Sequence, residues 1–281
     1  MLIVLERARR EKMMAVIPRA LTIAGSDSGG GAGIQADLKS FSAFGVYGMS
    51  ALTAITAQNT LGVQAILELP LNLIEAQIDS VVEDIGVDAT KTGMLSSAAI
   101  VEVVAAAVAR HRIPNLVVDP VMVAKSGDTL LQEDAISALK TRLLPLATVL
   151  TPNLPEAEIL TGRPVKSLDA MREAARSLHE LGVRWVVVKG GHLDEEEDAI
   201  DLVYDGNAFT SLRSTRVATR NTHGTGCTFS AAITAGLARG RPVPEAIAGA
   251  KRYVSCAIEQ SLALGRGHGP TNHLVGVTSQ W

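Results

Sequence analysis

The segment Asn221-Thr-His-Gly-Thr-Gly-Cys-Thr228 places two glycines and a thiol at the start of a run with helical periodicity. Gly224, Thr225, Gly226 and Cys227 therefore fall on a helix N-terminus, where backbone N–H groups point outward and favour an anion. A phosphoryl group in transfer spreads negative charge over its oxygens, and such a cradle would stabilise it. The helix dipole at that place also predicts a lowered pKa for the Cys227 thiol. Without a ligand, the same residues read as a glycine-rich helix start with a buried cysteine. A second segment, Thr151-Pro-Asn-Leu-Pro-Glu156, sets a carboxamide and a carboxylate three residues apart at a strand end and helix start. Asn153 and Glu156 are oxygen donors of the kind that suit Mg²⁺ beside phosphates. Their spacing equally makes a capping box.

A third segment runs from Ala24 to Asp37 and carries Gly31-Ala-Gly-Ile-Gln-Ala36. This matches dinucleotide-binding spacing, but the glycines start six residues beyond the strand end at Gly25, and the next strand has no acidic end for a ribose. A nicotinamide cofactor is not expected. The glycines instead let a backbone approach a small ligand, and Asp37 lies about one turn into the following helix. No Lys in the chain follows a Gly, so a Walker A loop is absent. Three more loops follow strands: Lys91-Thr-Gly-Met94; Asp119 to Gly127, with Lys125 within it; and Lys189-Gly-Gly-His192.

These residues need elements to hold them. Strands are predicted at 21–25, 46–58, 63–69, 88–93, 116–120, 148–151 and 185–189, with a hairpin at 200–205 and 208–212. Helices are predicted at 34–44, 71–85, 97–111, 132–144, 169–181, 225–239 and 244–264. Near-strict alternation of strand and helix gives an α/β fold: a three-layer α/β/α sandwich with a mainly parallel central sheet. Ligands in such sheets sit at the carboxyl ends of the strands, where the loops above all lie. The acidic run 194–198 reads as a solvated loop.

The 281 residues are 47% hydrophobic and 20% charged, an ordinary globular balance that excludes a disordered chain. A net charge of −3 argues against nucleic acid as a partner. Cys227 and Cys256 are too few for a disulfide framework and fit a reducing, cytoplasmic setting. No stretch has the apolar density of a membrane span. Residues 1–18 place their charges after the apolar residues, the reverse of a secretory signal, and read as an extension ahead of a single domain at 19–281.

In order along the chain, A-G-S-D…G-G-A-G-I-Q-A-D, A-Q-N-T, K-T-G-M-L, D-P-V-M-V-A-K-S-G, T-P-N-L-P-E, V-K-G-G-H and N-T-H-G-T-G-C-T resemble hydroxymethylpyrimidine/phosphomethylpyrimidine kinases of thiamine biosynthesis, in the ribokinase-like superfamily. The resemblance runs from about Arg19 to His273. It implies transfer of the ATP γ-phosphate, with Mg²⁺, to 4-amino-5-hydroxymethyl-2-methylpyrimidine and then to its monophosphate. It implies that Gln58 recognises the pyrimidine, with Gly25, Asp37, Met94 and Val121 at other pocket positions. Cys227 matches the position beside the acceptor hydroxyl, and Gly224, Thr225 and Gly226 complete the anion hole. Asn153 and Glu156 match the Mg²⁺ motif. Lys189, with Asn153, Thr222 and Asp119, is expected on the nucleotide side. Relatives often form homodimers. Many relatives carry a Pro where this chain reads Asp27-Ser-Gly-Gly-Gly31, which implies a more flexible loop here. A pyridoxal/pyridoxine kinase of the same superfamily is the alternative enzyme. A pyrimidine sensor without chemistry is a different class, opposed by the intact Asn153, Glu156, Lys189 and Cys227 set.

Overall fold

The structure is a computed structural model, which describes residues 17–122, 133–191, 193 and 198–276. Lys125, His192, residues 194–197 of the acidic run and nearly all of the 1–18 extension lie outside them. The first half of the chain forms β1 (Arg19–Ala24), α1 (Gly33–Ala43), β2 (Tyr47–Leu52), β3 (Ala54–Asn59), β4 (Gly62–Glu68), α2 (Leu71–Asp84), β5 (Ala89–Thr92), α3 (Ala98–Arg110) and β6 (Leu116–Val118). The second half forms α4 (Glu133–Ala138), β7 (Val149–Leu150), α5 (Leu154–Thr161), α6 (Leu168–His179), β8 (Trp185–Gly190), β9 (Asp198–Tyr204), β10 (Phe209–Thr215), α7 (Thr225–Ala238) and α8 (Val243–Glu259).

Eight strands form one sheet in the order β10-β9-β8-β7-β6-β5-β1-β2. The six from β2 to β8 are parallel, and β9 and β10 add an antiparallel edge. The central strands read as short aliphatic runs because helices cover both their faces. Val118, Leu150 and Val186 pack with α2 to α6 on one face. Val117, Val149 and Val187 pack with α7 and α8 on the other. Every residue of α7 from Thr228 to Leu237 is buried, so this helix is apolar almost all round rather than striped. Chain order reverses between β1 and β5, which puts the topological switch point at Gly25 and Gly93.

Three predicted elements differ. The run 46–58 is two strands, not one. It breaks at Thr53, whose N–H donates to the Ala24 carbonyl at 3.0 Å and whose hydroxyl donates to the Met94 carbonyl at 2.8 Å. Beyond this pin the chain leaves the sheet edge, and β3 pairs with β4 as a separate flap. The helix predicted at 132–144 is α-helical only to Ala138, then widens to a π-turn over Leu139–Leu143 and tightens to a 3₁₀ turn around Pro145. The last helix stops at Glu259 rather than at 264.

Candidate active site

The carboxyl ends of β1, β5, β6, β7 and β8 open into one cleft of about 610 Å³. Gly25, Gln58, Met94, Val121, Asp119, Asn153, Glu156, Lys189, Thr222 and the Gly224 to Cys227 turn all line it. One site residue predicted from the sequence does not. Asp37 is fully buried beneath the cleft, where its carboxylate accepts from Lys91 Nζ at 2.8 and 2.9 Å and from the Thr22 hydroxyl at 2.7 Å. The register Thr22↔Lys91 sets both donors side by side on neighbouring strands, and α1 lays Asp37 across them. The first-turn carboxylate is thus spent on a buried cation, and Lys91, itself fully buried, lies against the cleft floor. Burial alone would lower the pKa of the Lys91 ammonium; Asp37, Cys227 and Asp119 together outweigh it and keep the ammonium charged.

The cradle rests on Gly224, the N-cap of α7 at φ 78°. A side chain there would overlap the Gly31 carbonyl, so the glycine permits both the left-handed turn and the contact between two loops. Thr228 N–H bonds back to the Gly224 carbonyl at 2.8 Å, and the N–H groups of Gly226 and Cys227 at N2 and N3 are free for a ligand. Cys227 is half-buried. Burial pushes its thiol up to about 11, and the pull of Lys91 in the other direction is smaller. The expected lowering of the thiol is not what the site gives: desolvation of the thiolate dominates, and the shift is upward.

Beside the cradle, Lys189 Nζ sits 3.1 Å from Asp119 Oδ1, and Ser230 donates to Asp119 Oδ2 at 3.2 Å. Burial alone would raise the Asp119 carboxyl; Lys189 and Lys91 outweigh it and hold it below the ordinary value. Asn153 and Glu156 form the capping box: Glu156 N–H donates to Asn153 Oδ1 at 2.9 Å, and Asn153 N–H to Glu156 Oε2 at 2.7 Å. Both residues still line the cleft. Burial, with repulsion from Asp119, pushes the Glu156 carboxyl up to about 7 against the pull of Lys189. At the far end Val217, Phe229, Val254 and Ile258 make an apolar wall, and Lys251 pairs with Asp201 at 2.8 Å.

On the near side, Asp27 organises the glycine loop. Its carboxylate accepts the N–H groups of Gly29, Gly31 and Ala32 at 2.8 to 3.1 Å. Ser28 Oγ donates to the Gln58 carbonyl at 2.7 Å and accepts Gln58 N–H at 2.8 Å, tying the loop to the flap. Neither Asp27, His223 nor Lys91 stood out as a site residue in the sequence. The available signal for Lys91 was a lysine in the middle of a strand buried on both faces, which demands an anion.

The sequence profile described as phosphomethylpyrimidine kinase matches residues 27–272, most of the chain. The chain belongs to the phosphomethylpyrimidine kinase family. Membership makes it a kinase. Within the family it is 49% identical over 257 residues to the hydroxymethylpyrimidine/phosphomethylpyrimidine kinase of Bacillus subtilis, covering 92% of this chain and 95% of that one. It is 54% identical over 263 residues to a thiamine biosynthesis bifunctional protein of Geobacter sulfurreducens, covering 93% of this chain. That match takes in 54% of the bifunctional protein, so the chain spans about half its length. In three dimensions an ADP complex of Bacillus subtilis pyridoxal kinase matches with a TM-score of 0.86 at 46% identity, covering 92% of this chain and 98% of that one.

Proposed function

We propose that the chain transfers the γ-phosphate of ATP to the hydroxymethyl oxygen of 4-amino-5-hydroxymethyl-2-methylpyrimidine, then to the resulting monophosphate, in thiamine diphosphate synthesis. The observation that carries this reading is one cleft that joins Gln58 and Met94 on its near side to the Gly224–Cys227 cradle and Lys189 at its centre. The apolar wall beyond would take the purine, and Lys189, Thr222 and Asp119 would face the phosphates. The acceptor oxygen, held beside Cys227, bonds to the γ-phosphorus as the bond to the β-phosphate bridging oxygen breaks and ADP leaves. The free N–H groups of Gly226 and Cys227 meet the charge spreading over the phosphoryl oxygens. The loose transition state asks little of a base. A thiol that keeps its proton at neutral pH cannot take up another, so Cys227 orients the hydroxyl, and the hydroxyl proton passes late to an oxygen of the transferred phosphoryl group.

Glu156 and Asn153 offer hard oxygens beside the phosphate site, and Glu156 is a carboxyl that a nearby cation would ionise. Among the described residues no cluster of three or more His, Cys, Asp or Glu forms a metal cage. That donor set fits Mg²⁺, which keeps most of its waters and binds through one or two side chains and the phosphates. Glu156 with Asn153 would hold it, and it would neutralise phosphate charge.

The same reading takes residues 19–281 as one domain in a cytoplasmic homodimer, with the exposed Ile55, Leu61 and Leu67 of the flap covered by the partner. The likeness to a pyridoxal kinase favours pyridoxal phosphorylation by this cleft as a second reading. Product masses after incubation with Mg²⁺–ATP, with hydroxymethylpyrimidine and pyridoxine in separate tubes, decide between them. Mono- and then diphosphate from the pyrimidine is expected. Phosphate on pyridoxine alone would move the assignment, and no product in either tube would leave a ligand sensor.

A further inference from the structure

We propose that Asp27 and His223 form a latch that fixes the acceptor-side glycine loop against the phosphoryl cradle, with His223 a positioning residue for transfer. The two residues are 196 positions apart in sequence, yet His223 Nε2 lies 2.8 Å from Asp27 Oδ2. Asp27 is 1% exposed and already accepts three backbone N–H groups of its own loop, so its carboxylate is ionised and the proton between the pair is on Nε2. Burial alone would raise the Asp27 carboxyl; the hydrogen bond and charge of His223, with the N–H groups of Ala32 and Gly29, outweigh it and hold it low. One charged acceptor therefore gathers four donors, three from the loop that carries the acceptor pocket and one from the segment that begins the cradle.

His223 is itself held from behind. Its N–H donates to the Gly269 carbonyl at 3.1 Å, and its carbonyl accepts Thr271 N–H at 3.2 Å. The same segment, residues 267–271, clamps the flap tip, since His268 N–H donates to the Thr60 carbonyl at 2.9 Å and Gly267 N–H to the Thr60 hydroxyl at 3.2 Å. Flap, glycine loop and cradle are thus one hydrogen-bonded ring around the place where acceptor and phosphoryl group would meet, and the Asp27–His223 bond closes it. Transfer depends on the distance between groups held on opposite sides of that ring, and misplacement by about 1 Å can cost about 100-fold.

The inference rests on the kinase reading for its activity test, but the latch itself is read without substrate. In His223→Ala, amide exchange at Gly29, Gly31 and Ala32 should quicken about tenfold or more while amides of β5 and β6 keep their protection. With the pyrimidine and Mg²⁺–ATP, kcat should fall about 10- to 100-fold with KM for each substrate within about threefold. His223→Gln, whose amide N–H can still reach Asp27, should restore most of both. In a cycle with Asp27→Asn, the losses should not add. Unchanged exchange in His223→Ala would overturn the latch, whatever the activity. Faster exchange with an unchanged kcat, or a loss confined to KM, would overturn the positioning role. Wild-type protein that makes no pyrimidine phosphate would sink the substrate assignment and leave the exchange result to stand on its own.

Discussion

Lys91 is the residue on which the floor of the site depends. It has no exposed surface, and its ammonium is held by a carboxylate that is equally buried. Truncating one member of such a pair leaves the other charged and desolvated. Lys91→Met should therefore cost ~3–5 kcal/mol in urea unfolding. Lys91→Met/Asp37→Leu should recover most of that, because removing both charges removes the desolvation as well. A double variant no more stable than the single would show that the cost lies in packing. The thiol above this pair makes a separate prediction. With burial holding Cys227 near 11, iodoacetamide labelling of Cys227 should climb about tenfold per pH unit between pH 8 and 10, as the thiolate fraction does. The exposed Cys256 should label first throughout. Labelling of both at similar rates at pH 7 would mean that the helix end does activate the thiol. The motif showed the helix end to a reader of the sequence. The burial that overrules it, with the carboxylates of Asp37 and Asp119 adding to it, comes from parts of the chain that became neighbours only on folding.

At the scale of elements, the α/β alternation was legible because each central strand is a short aliphatic run and most helices carry an apolar stripe. What could not be read was where a strand changes partner. The residues 46–58 alternate as one strand would, and the bonds that Thr53 donates to the last residue of β1 and to the loop after β5 mark where the second half turns away into a flap. The meeting of the two glycine loops was equally hidden, since Gly31 and Gly224 each look like ordinary loop glycines. Their contact predicts a contrast between two left-handed positions on α7. Gly240, just past the C-terminus at φ 72°, has nothing within 4 Å of an added Cβ, so Gly240→Ala should cost only ~1–2 kcal/mol of backbone strain. Gly224→Ala adds to that strain an overlap with the Gly31 carbonyl, so the loops must part. Kinase activity should drop about 100-fold or more in Gly224→Ala and stay within about twofold in Gly240→Ala. Equal activities would show that the loops can separate without harm to the cradle.

For the molecule as a whole, the end of the described chain is part of the structure that carries the cradle. His273 is buried against the first turn of α7, where its Nε2 lies 3.0 Å from the Thr228 hydroxyl, and its carbonyl accepts the Tyr253 hydroxyl at 2.7 Å. Burial, aided by the nearby Lys39 and His223, pushes its imidazole down to about 4. In the unfolded chain the same group would titrate near ~6.5. Above that pH both states are neutral and the shift contributes nothing. As pH falls through ~6.5 the unfolded chain takes up a proton that the folded chain refuses, and stability drops by up to ~1.4 kcal/mol per pH unit until the folded group also titrates. Between pH 7.5 and 5 this one residue should account for about 2 kcal/mol of lost stability. His273→Gln keeps a hydrogen-bonding side chain but has no proton to gain, so its urea midpoint should fall less over that interval than the wild-type midpoint does. Parallel midpoints for the two proteins would place the acid sensitivity of that interval elsewhere, and not at Asp27, whose lowered carboxyl pKa makes a contribution that is lost only at more acid pH, as the folded-state carboxylate takes up its proton.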